Sequence, residues 1–350
     1  MASPDSSDTV ISILSVGTAL PGLPVDNAAL TRALRMKPSF EQWIDAFVGT
    51  KTRHLAINLE TAEPEYTLAD LGESAGRRAL EGAGVTPADV DLVVMGTSMP
   101  DSLMPTTVNV IADRLGINAV PTYQLQSGCT GAMQALDVAS QMLLTGRHRT
   151  ALVLGGDVCA KHVDLSVDFA ALPPAEIVNV MLFGDGAGAV VLTTLPAPEA
   201  PKLRRVLVRF VGLDRAPGQI VEWFGQGDRN DGRSAIFEDF KAIEQWVPLM
   251  SAEILGELLE GQGWKESELD YLLPPQLSVK MTQRIVEHLG VGVGGAREVS
   301  CVGEIGNTGN ALPFFQLELL LPDLEPGGRA VAIAVESSKW IKGGLALEKP

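Results

Sequence analysis

The amino-acid sequence predicts an α/β protein whose strands are mostly parallel and buried. The first observation is that short apolar runs such as VISILSVG, VDLVVMGTS and TALVLGGDV alternate with longer helical patterns such as LADLGESAGRRALEGAG. This alternation is typical of parallel strands that are joined by helices. The second observation is that glycines end the helical patterns, at Gly82, Gly84 and Gly146. Glycine takes the left-handed conformation that closes a helix, so each pattern has a defined end.

The third observation is an internal repeat. The string GVTPADVD from Gly84 is echoed 179 positions later by GWKESELD from Gly263, and the strand TALVLGGDV is echoed by RAVAIAVES at the same spacing. Between them, GCTG from Gly128 is echoed by GNTG from Gly306 at a spacing of 178. Three echoes in similar positions indicate a duplicated α/β half. A pseudo-twofold axis would bring the start of the CTGAMQAL helix close to the start of the NTGNALPF helix.

The segment PAPEAP, residues 196–201, is the best internal boundary because proline-rich stretches interrupt regular structure. We expect an N-terminal half at 1–195, which holds the candidate nucleophile described below, and a C-terminal half at 202–350.

Composition and charge exclude several classes of function. The 350 residues are 46% hydrophobic and carry 43 acidic against 27 basic side chains, for a net charge of −16. This charge disfavours non-specific binding to nucleic acid or to an anionic membrane. No uncharged apolar run is long enough to span a bilayer, and the first residues lack the pattern of a secretory signal, so we expect a cytoplasmic protein.

The cysteines favour neither a disulfide framework nor a metal site. Cys129, Cys159 and Cys301 are far apart, and the chain has only four histidines. Paired cysteines or closely spaced Cys and His ligands would be needed for either purpose. We interpret Cys159 and Cys301 as structural.

Cys129 is the candidate nucleophile. It follows a strand-like run and opens a helical pattern, and its flanking Gly128 and Gly131 permit close approach of a ligand. The positive end of a helix dipole and the free amides of the first turn predict that this thiol is biased toward thiolate.

Several strings resemble the ketoacyl-acyl-carrier-protein synthase III group of the thiolase superfamily, in order and over nearly the whole chain. They are ILSVGTALPG, FEQWIDAFVGTKTRHLAI, AGVTPADVDLVVMGTSMPDSLMPTT, QSGCTGAMQALDVASQMLLTG, LFGDGAGAVVL and GNTGNALP. The resemblance implies a thiolase-like five-layered α-β-α-β-α fold from two duplicated halves, in a homodimer. It also implies that Cys129 takes an acyl group from coenzyme A or from an acyl carrier protein, and that Asn307 is catalytic.

The resemblance also shows departures from the family pattern. The family's catalytic His falls on Pro275, a residue with no ionisable side chain. Gln276 or His162 is the candidate to fill the vacant place. A glycine-rich loop that helps form the family's oxyanion hole corresponds to VESSKWIKGG, in which Ser338 would supply a backbone amide.

The implied binding surface is altered as well. An Arg that clamps coenzyme A in the family corresponds to Phe47, four residues after Trp43, which weakens the expectation of coenzyme A as the donor. Lys280 and Arg284 follow the altered loop, and the family associates an Arg with carrier binding at the position of Lys280. We therefore expect Lys280, Arg284 and Trp43 to contact an acyl carrier protein.

Three functions remain open. The leading hypothesis is an acyltransferase of secondary metabolism that forms an acyl-Cys129 thioester and passes the acyl group to a carrier thiol or small nucleophile. The second is a decarboxylative 3-oxoacyl-carrier-protein synthase III, and the third is a catalytically weakened partner subunit of an active synthase. No tightly bound cofactor or metal is expected; the acyl group would arrive on phosphopantetheine.

Overall fold

A computed structural model describes residues 9–172, 174–223, 236–290 and 295–350. Its strands are β1 Ile11–Ala19, β2 Val25–Asp26, β3 Thr52–Arg53, β4 Leu92–Gly96, β5 Thr122–Leu125, β6 Thr150–Asp157, β7 Gly186–Thr193, β8 Lys202–Phe210, β9 Gln219–Val221, β10 Ile236–Glu238, β11 Tyr271–Leu273, β12 Arg297–Glu298, β13 Arg329–Glu336 and β14 Ile341–Glu348. Its helices are α1 Asn27–Ala33, α2 Ser39–Phe47, α3 Leu68–Ala83, α4 Thr107–Leu115, α5 Gly131–Leu144, α6 Pro174–Leu182, α7 Phe240–Gln262, α8 Val279–Leu289, α9 Val302–Ile305 and α10 Leu312–Leu320.

Ten strands form one hydrogen-bonded array in the order β12-β11-β13-β14-β8-β1-β7-β6-β4-β5. Counted outward from the junction between β1 and β8, the strands of the two halves follow the same topological order. The strands β1, β7, β6, β4 and β5 therefore correspond to β8, β14, β13, β11 and β12. The two halves join where β1 pairs with β8, through Ile11 with Leu203 and Ser12 with Lys202. The duplication predicted from the repeats is therefore present in the strand order, and we propose the boundary between the halves in the segment 196–201.

The expectation of mostly parallel strands is only partly right. In each half the outer three strands are parallel, whereas the two strands nearest the junction are antiparallel to their neighbours. The connection from β13 to β14 is only residues 337–340, and so short a turn permits antiparallel pairing alone.

The buried residues divide into layers. Along β4, Leu92 and Val94 pack with α5 and α10 in a central core, whereas Val93 and Met95 pack outward with α3 and α4. In the other half, the strands pack outward against α7 and α8. Helices α5 and α10 thus lie between the two five-stranded halves of the array, and each half is covered by an outer helix layer, which gives the five-layered order α-β-α-β-α.

The helix ends follow the glycine signals. Gly84 ends α3 with φ of 64° and Gly263 ends α7 with φ of 66°, and each is followed by a 3-10 turn and a buried strand. In the part of the chain that the structure describes, no helix is long and apolar enough to cross a membrane.

Candidate active site

Cys129 lies between a strand and a helix, as the sequence predicts. It occupies a 3-10 turn, Gly128–Thr130, after which α5 begins at Gly131. Gly128 has a φ of 52°, and a Cβ atom on it would overlap the carboxylate of Glu336. The glycine before the cysteine is therefore required both by its conformation and by the approach of this carboxylate.

The two loops at the pseudo-twofold axis meet, as the repeat predicts. The Ala132 amide in the first turn of α5 donates to Oδ1 of Asn310 at 2.8 Å. A Cβ atom on Gly131 would lie 2.6 Å from the same oxygen, which explains the glycine at this position. The side chain of Asn310 thus caps the start of α5 from across the axis, although it lies 178 positions from Ala132 in the chain.

The predicted register of this echo is wrong by three residues. Gly128 corresponds to Gly309 rather than to Gly306, because each of the two opens a 3-10 turn that is followed at once by a long helix, which begins at Gly131 and at Leu312. Cys129 therefore has Asn310 as its pseudo-symmetric counterpart. Glu336, the last residue of β13, is likewise the counterpart of Asp157, the last residue of β6. The contacts agree: the amide of Asn310 donates to Asp157 at 2.9 Å, and the amide of Cys129 donates to Glu336.

Glu336 is the residue that sequence reasoning missed. Its side chain is buried, and its carboxylate accepts the amide of Cys129 on Oε2 and the amide of Ser338, at 2.5 Å, on Oε1. The Ser338 amide is the one that the resemblance predicts as an oxyanion donor, and the Cys129 amide lies across the same carboxylate from it. In the resting protein a carboxylate already binds both. The sequence did hold a signal for it, because Glu336 is the acidic residue at the end of the otherwise apolar strand RAVAIAVE.

The expectation that Cys129 is biased toward thiolate is wrong for this resting site. Burial raises the pKa of the Cys129 thiol well above its ordinary value, and the charges of Glu336 and Asp157 raise it further. A hydrogen bond between the thiol and Glu336 acts in the same direction. Although Cys129 as a residue keeps some exposure, the immediate surroundings of its sulfur are anionic and packed, and these decide the protonation state.

A small cavity of about 40 Å³ opens beside Cys129. Its lining includes Asn307, Pro275, Gln276 and Val335. Asn307 thus shares a cavity with Cys129, as expected, and its Oδ1 accepts the Gly309 amide at 3.0 Å. The part of the chain that the structure describes contributes no histidine to this lining.

The structure does not bring either of the residues that the sequence offers in place of the family's histidine into a free position beside Cys129. Oε1 of Gln276 accepts the amides of Cys301 at 2.9 Å and Val302 at 2.8 Å, and Nε2 donates to the carbonyl of Val299 at 3.2 Å. These bonds hold the segment before α9, so the structure disfavours the predicted contact of Gln276 with a thioester. His162 lies in a 3-10 turn after β6 and is absent from the described lining of the Cys129 cavity; burial lowers its pKa.

The predicted carrier-binding residues lie on two helices that meet. The amide of Lys280 in α8 donates to the carbonyl of Val48, which follows α2, at 3.3 Å. Lys280 is exposed, and Arg284, one turn along α8, is exposed and 3.1 Å from Glu244.

Trp43 of α2 contacts two aromatic rings of its own helix. The Phe40 ring is stacked on it, with ring centroids 5.5 Å apart and planes nearly parallel at 5°, and the Phe47 ring is tilted by 34° at 5.3 Å. The stacked Phe40 ring therefore covers a face of Trp43 that a flat ligand ring could otherwise use.

Comparisons with known proteins agree with this architecture. Residues 123–206 match the family model of 3-oxoacyl-[acyl-carrier-protein] synthase III. The chain is 30% identical over 301 residues to a β-ketoacyl-[acyl-carrier-protein] synthase III of Neisseria meningitidis serogroup C, covering 85% of this chain and 86% of that protein.

Three solved structures extend the likeness to nearly the full length. A tetronic acid condensing enzyme is 57% identical with a TM-score of 0.93, over 97% of this chain and 99% of that one. The 3-oxoacyl-(acyl carrier protein) synthase III of Pseudomonas aeruginosa is 26% identical with a TM-score of 0.81, over 97% and 98%. A priming β-ketosynthase from the R1128 polyketide pathway is 27% identical with a TM-score of 0.80, over 100% and 98%.

The five-layered fold predicted by the resemblance is thus confirmed by the arrangement of the layers and by these structures. With its cysteine-bearing loop at the junction of two duplicated halves, the chain belongs to the β-ketoacyl-[acyl-carrier-protein] synthase III family and is a ketosynthase III-like enzyme.

Proposed function

We propose that this protein is a condensing enzyme of secondary metabolism that builds a tetronic acid ring from two thioesters through an acyl-Cys129 intermediate, without loss of carbon dioxide. The observation that carries the proposal is the 57% identity, over almost the whole of both chains, to a tetronic acid condensing enzyme. The acceptor then differs from the carrier thiol or small nucleophile first expected, because it is the carbon of a second thioester.

Tetronic acid is a five-membered lactone with an enolised ketone, and its ring can be divided into two acyl units. One unit is a 2-hydroxyacyl group, which would load onto Cys129 and release its carrier thiol. The other is a 3-oxoacyl thioester, whose C2 would attack the acyl carbonyl and expel the Cys129 thiolate. The 2-hydroxyl group would then attack the remaining thioester, release the second thiol and close the ring.

This chemistry suits a site without a catalytic histidine. In the family as the resemblance implies it, a His and an Asn stabilise the enolate that forms when malonyl thioester loses carbon dioxide. We propose that Pro275 stands in place of that His, while Asn307 is kept beside Cys129. The C2 of a 3-oxoacyl thioester is flanked by two carbonyls, which delocalise the enolate charge, so less help is needed from the protein.

We further propose that both acyl groups arrive on acyl carrier protein, that Lys280 and Arg284 contact it, and that the enzyme is a homodimer. The stacking of Phe40 on Trp43 supports a carrier over coenzyme A, since it covers a face of the ring on which an adenine could stack. Sedimentation of the purified protein tests the oligomeric state, and a monomer would remove that part of the proposal.

Mass spectrometry tests the proposal as a whole. The protein is mixed with carrier loaded with a 2-hydroxyacyl group, and Cys129 is expected to gain that acyl mass. Addition of a 3-oxoacyl thioester should discharge Cys129 and release a product with the mass of the lactone. Cys129→Ala should do neither.

The other outcomes identify the alternatives. Carbon dioxide released from malonyl-loaded carrier would favour a decarboxylative synthase. Transfer of the acyl group to a free thiol, with no carbon–carbon bond formed, would favour a simple acyltransferase. Failure of Cys129 to take any acyl group, together with co-purification with an active homologue, would favour a supporting subunit.

A further inference from the structure

We infer that Glu336 is the general base of the condensation, and that in the resting enzyme its carboxylate occupies the amides that later bind the acyl oxygen. This inference rests on the proposed function. The first observation is the position of Glu336. Its carboxylate accepts the amides of Cys129 and Ser338 and hydrogen-bonds with the Cys129 thiol.

The pseudo-symmetric counterpart shows what a purely structural carboxylate looks like here. Asp157 accepts five hydrogen bonds: from the hydroxyl of Thr97, the amides of Ser98, Met99 and Asn310, and the side-chain nitrogen of Asn310. None of its partners is a reacting group. Both oxygens of Glu336 are also held by backbone amides, but Glu336 has fewer partners, one of them is the Cys129 thiol, and its side chain is one methylene longer.

The same two amides serve two anions in turn. When Cys129 becomes acylated, its thioester oxygen needs donors, and the amides of Cys129 and Ser338, which converge on one carboxylate in the resting site, can supply them. The acyl oxygen therefore displaces the carboxylate, which loses its third partner as well because the thiol proton is gone. A buried carboxylate without partners is unstable, so it accepts a proton from an acidic group that enters the site.

The proton balance closes over one cycle. During loading, the Sγ–acyl bond forms, the bond between the acyl carbon and the carrier sulfur breaks, and the Sγ proton passes to the departing carrier thiolate without passing through Glu336. During condensation, Glu336 removes a proton from C2 of the 3-oxoacyl thioester, and the C–H electron pair forms the bond to the acyl carbon. The C–Sγ bond breaks, and the proton held on Glu336 returns to the Cys129 thiolate. The resting hydrogen bond between thiol and carboxylate is restored.

Glu336→Gln separates the two stages. Loss of the negative charge removes one cause of the raised pKa of Cys129, so iodoacetamide should alkylate Cys129 at neutral pH about tenfold faster than in the wild type. Loading from 2-hydroxyacyl carrier should persist, whereas condensation should slow by about a hundredfold or more, so that acyl-Cys129 accumulates in the mass spectrum. If Glu336 were only structural, its replacement by Gln would not raise the alkylation rate of Cys129 while it lowers the condensation rate.

The matched control is Glu238→Gln, which removes a neighbouring carboxylate that hydrogen-bonds with Gln219 and Asn179. It should condense within about threefold of the wild type. If Glu336→Gln does not fold, Glu336→Asp keeps the charge on a shorter side chain, and it should load normally while condensing at least about tenfold more slowly.

The outcomes distinguish the two proposals. A wild-type enzyme that never forms acyl-Cys129 overturns the proposed function and this inference together. A wild-type enzyme that loads and condenses, beside a Glu336→Gln variant that condenses equally fast or is alkylated no faster, overturns the inference alone.

Discussion

At the scale of single residues, Gly128 and Glu336 depend on each other. Gly128 has a φ of 52°, and its missing side chain leaves the space in which the carboxylate of Glu336 lies. Any larger residue at 128 would strain the backbone and push the carboxylate away from the Cys129 amide. The geometry around the thiol therefore depends on the absence of a Cβ atom at residue 128.

Gly128→Ala should lower the free energy of unfolding by about 3 kcal/mol and reduce product formation at least about tenfold, since it adds overlap with a buried carboxylate to the cost of a positive φ. Urea unfolding and product assays measure the two effects. Gly146→Ala is the control, because Gly146 also has a positive φ, 74°, but open space around it. Its loss should be about 1 kcal/mol with normal activity. Equal losses for the two variants would contradict the argument.

At the scale of elements, the start of α5 is completed by the other half of the molecule. Asn310 accepts the Ala132 amide on Oδ1 and donates to Asp157 at 2.8 Å and to Ser98 at 3.3 Å. One side chain thus links the first turn of α5, the end of β6 and the loop after β4. The position of Cys129 depends on this link.

Asn310→Ala should destabilise the protein by about 3 kcal/mol, because it leaves a buried amide without an acceptor and takes a donor from a buried carboxylate. Urea unfolding at constant m-value measures the change. Asn118→Ala, at an exposed position after α4, should shift the free energy of unfolding by less than about 0.5 kcal/mol. A loss at Asn310 as small as that at Asn118 would show that the link carries no stability.

The aromatic stack on α2 leads to a prediction about the donor. The same acyl group should load onto Cys129 at least about tenfold faster from a carrier protein than from coenzyme A, because the Phe40 ring is stacked on Trp43 and covers one of its faces. Phe40→Ala uncovers that face and should bring the two loading rates closer together. Leu319→Ala, which removes an exposed apolar side chain, should leave their ratio unchanged. Equal loading from both donors in the wild type would contradict the prediction.

At the scale of the whole molecule, an acidic protein is proposed to bind a carrier through a small basic surface. The net charge is −16, and acyl carrier proteins are themselves usually acidic. Lys280 and Arg284 lie near the junction of α2 and α8, and the neighbouring loop residue Pro275 lines the Cys129 cavity. Local charge must therefore overcome long-range repulsion at this place.

Reversing Lys280 and Arg284 to Glu together should raise the apparent KM for acyl carrier about tenfold at low salt, with a smaller effect at high salt because ions screen the interaction. Loading from an acyl pantetheine should not change. Arg77→Glu makes a charge reversal of the same sign on α3, in the opposite outer layer, and should leave the KM near that of the wild type. An unchanged KM in the α8 variant would remove Lys280 and Arg284 from the docking surface.

The sequence by itself determined the α/β class, the duplication, the helix ends at glycine and the place of Cys129 between a strand and a helix. These features are local or repeated, so periodicity, glycine positions and a motif are enough to predict them. The antiparallel strands beside the junction were missed, since strand direction depends on the length of connections and on partners far along the chain.

Only the tertiary structure decided the chemistry around the thiol. Gln276 is held by the segment before α9, and Asn310 rather than Asn307 is the counterpart of Cys129. Glu336 lies 207 positions from Cys129 in the chain yet accepts its amide. A helix start predicts a lowered pKa for a thiol, but burial and carboxylates brought by another strand raise it. The field at an atom is the sum over all charges near it in space, and that sum is set by the packing of both halves.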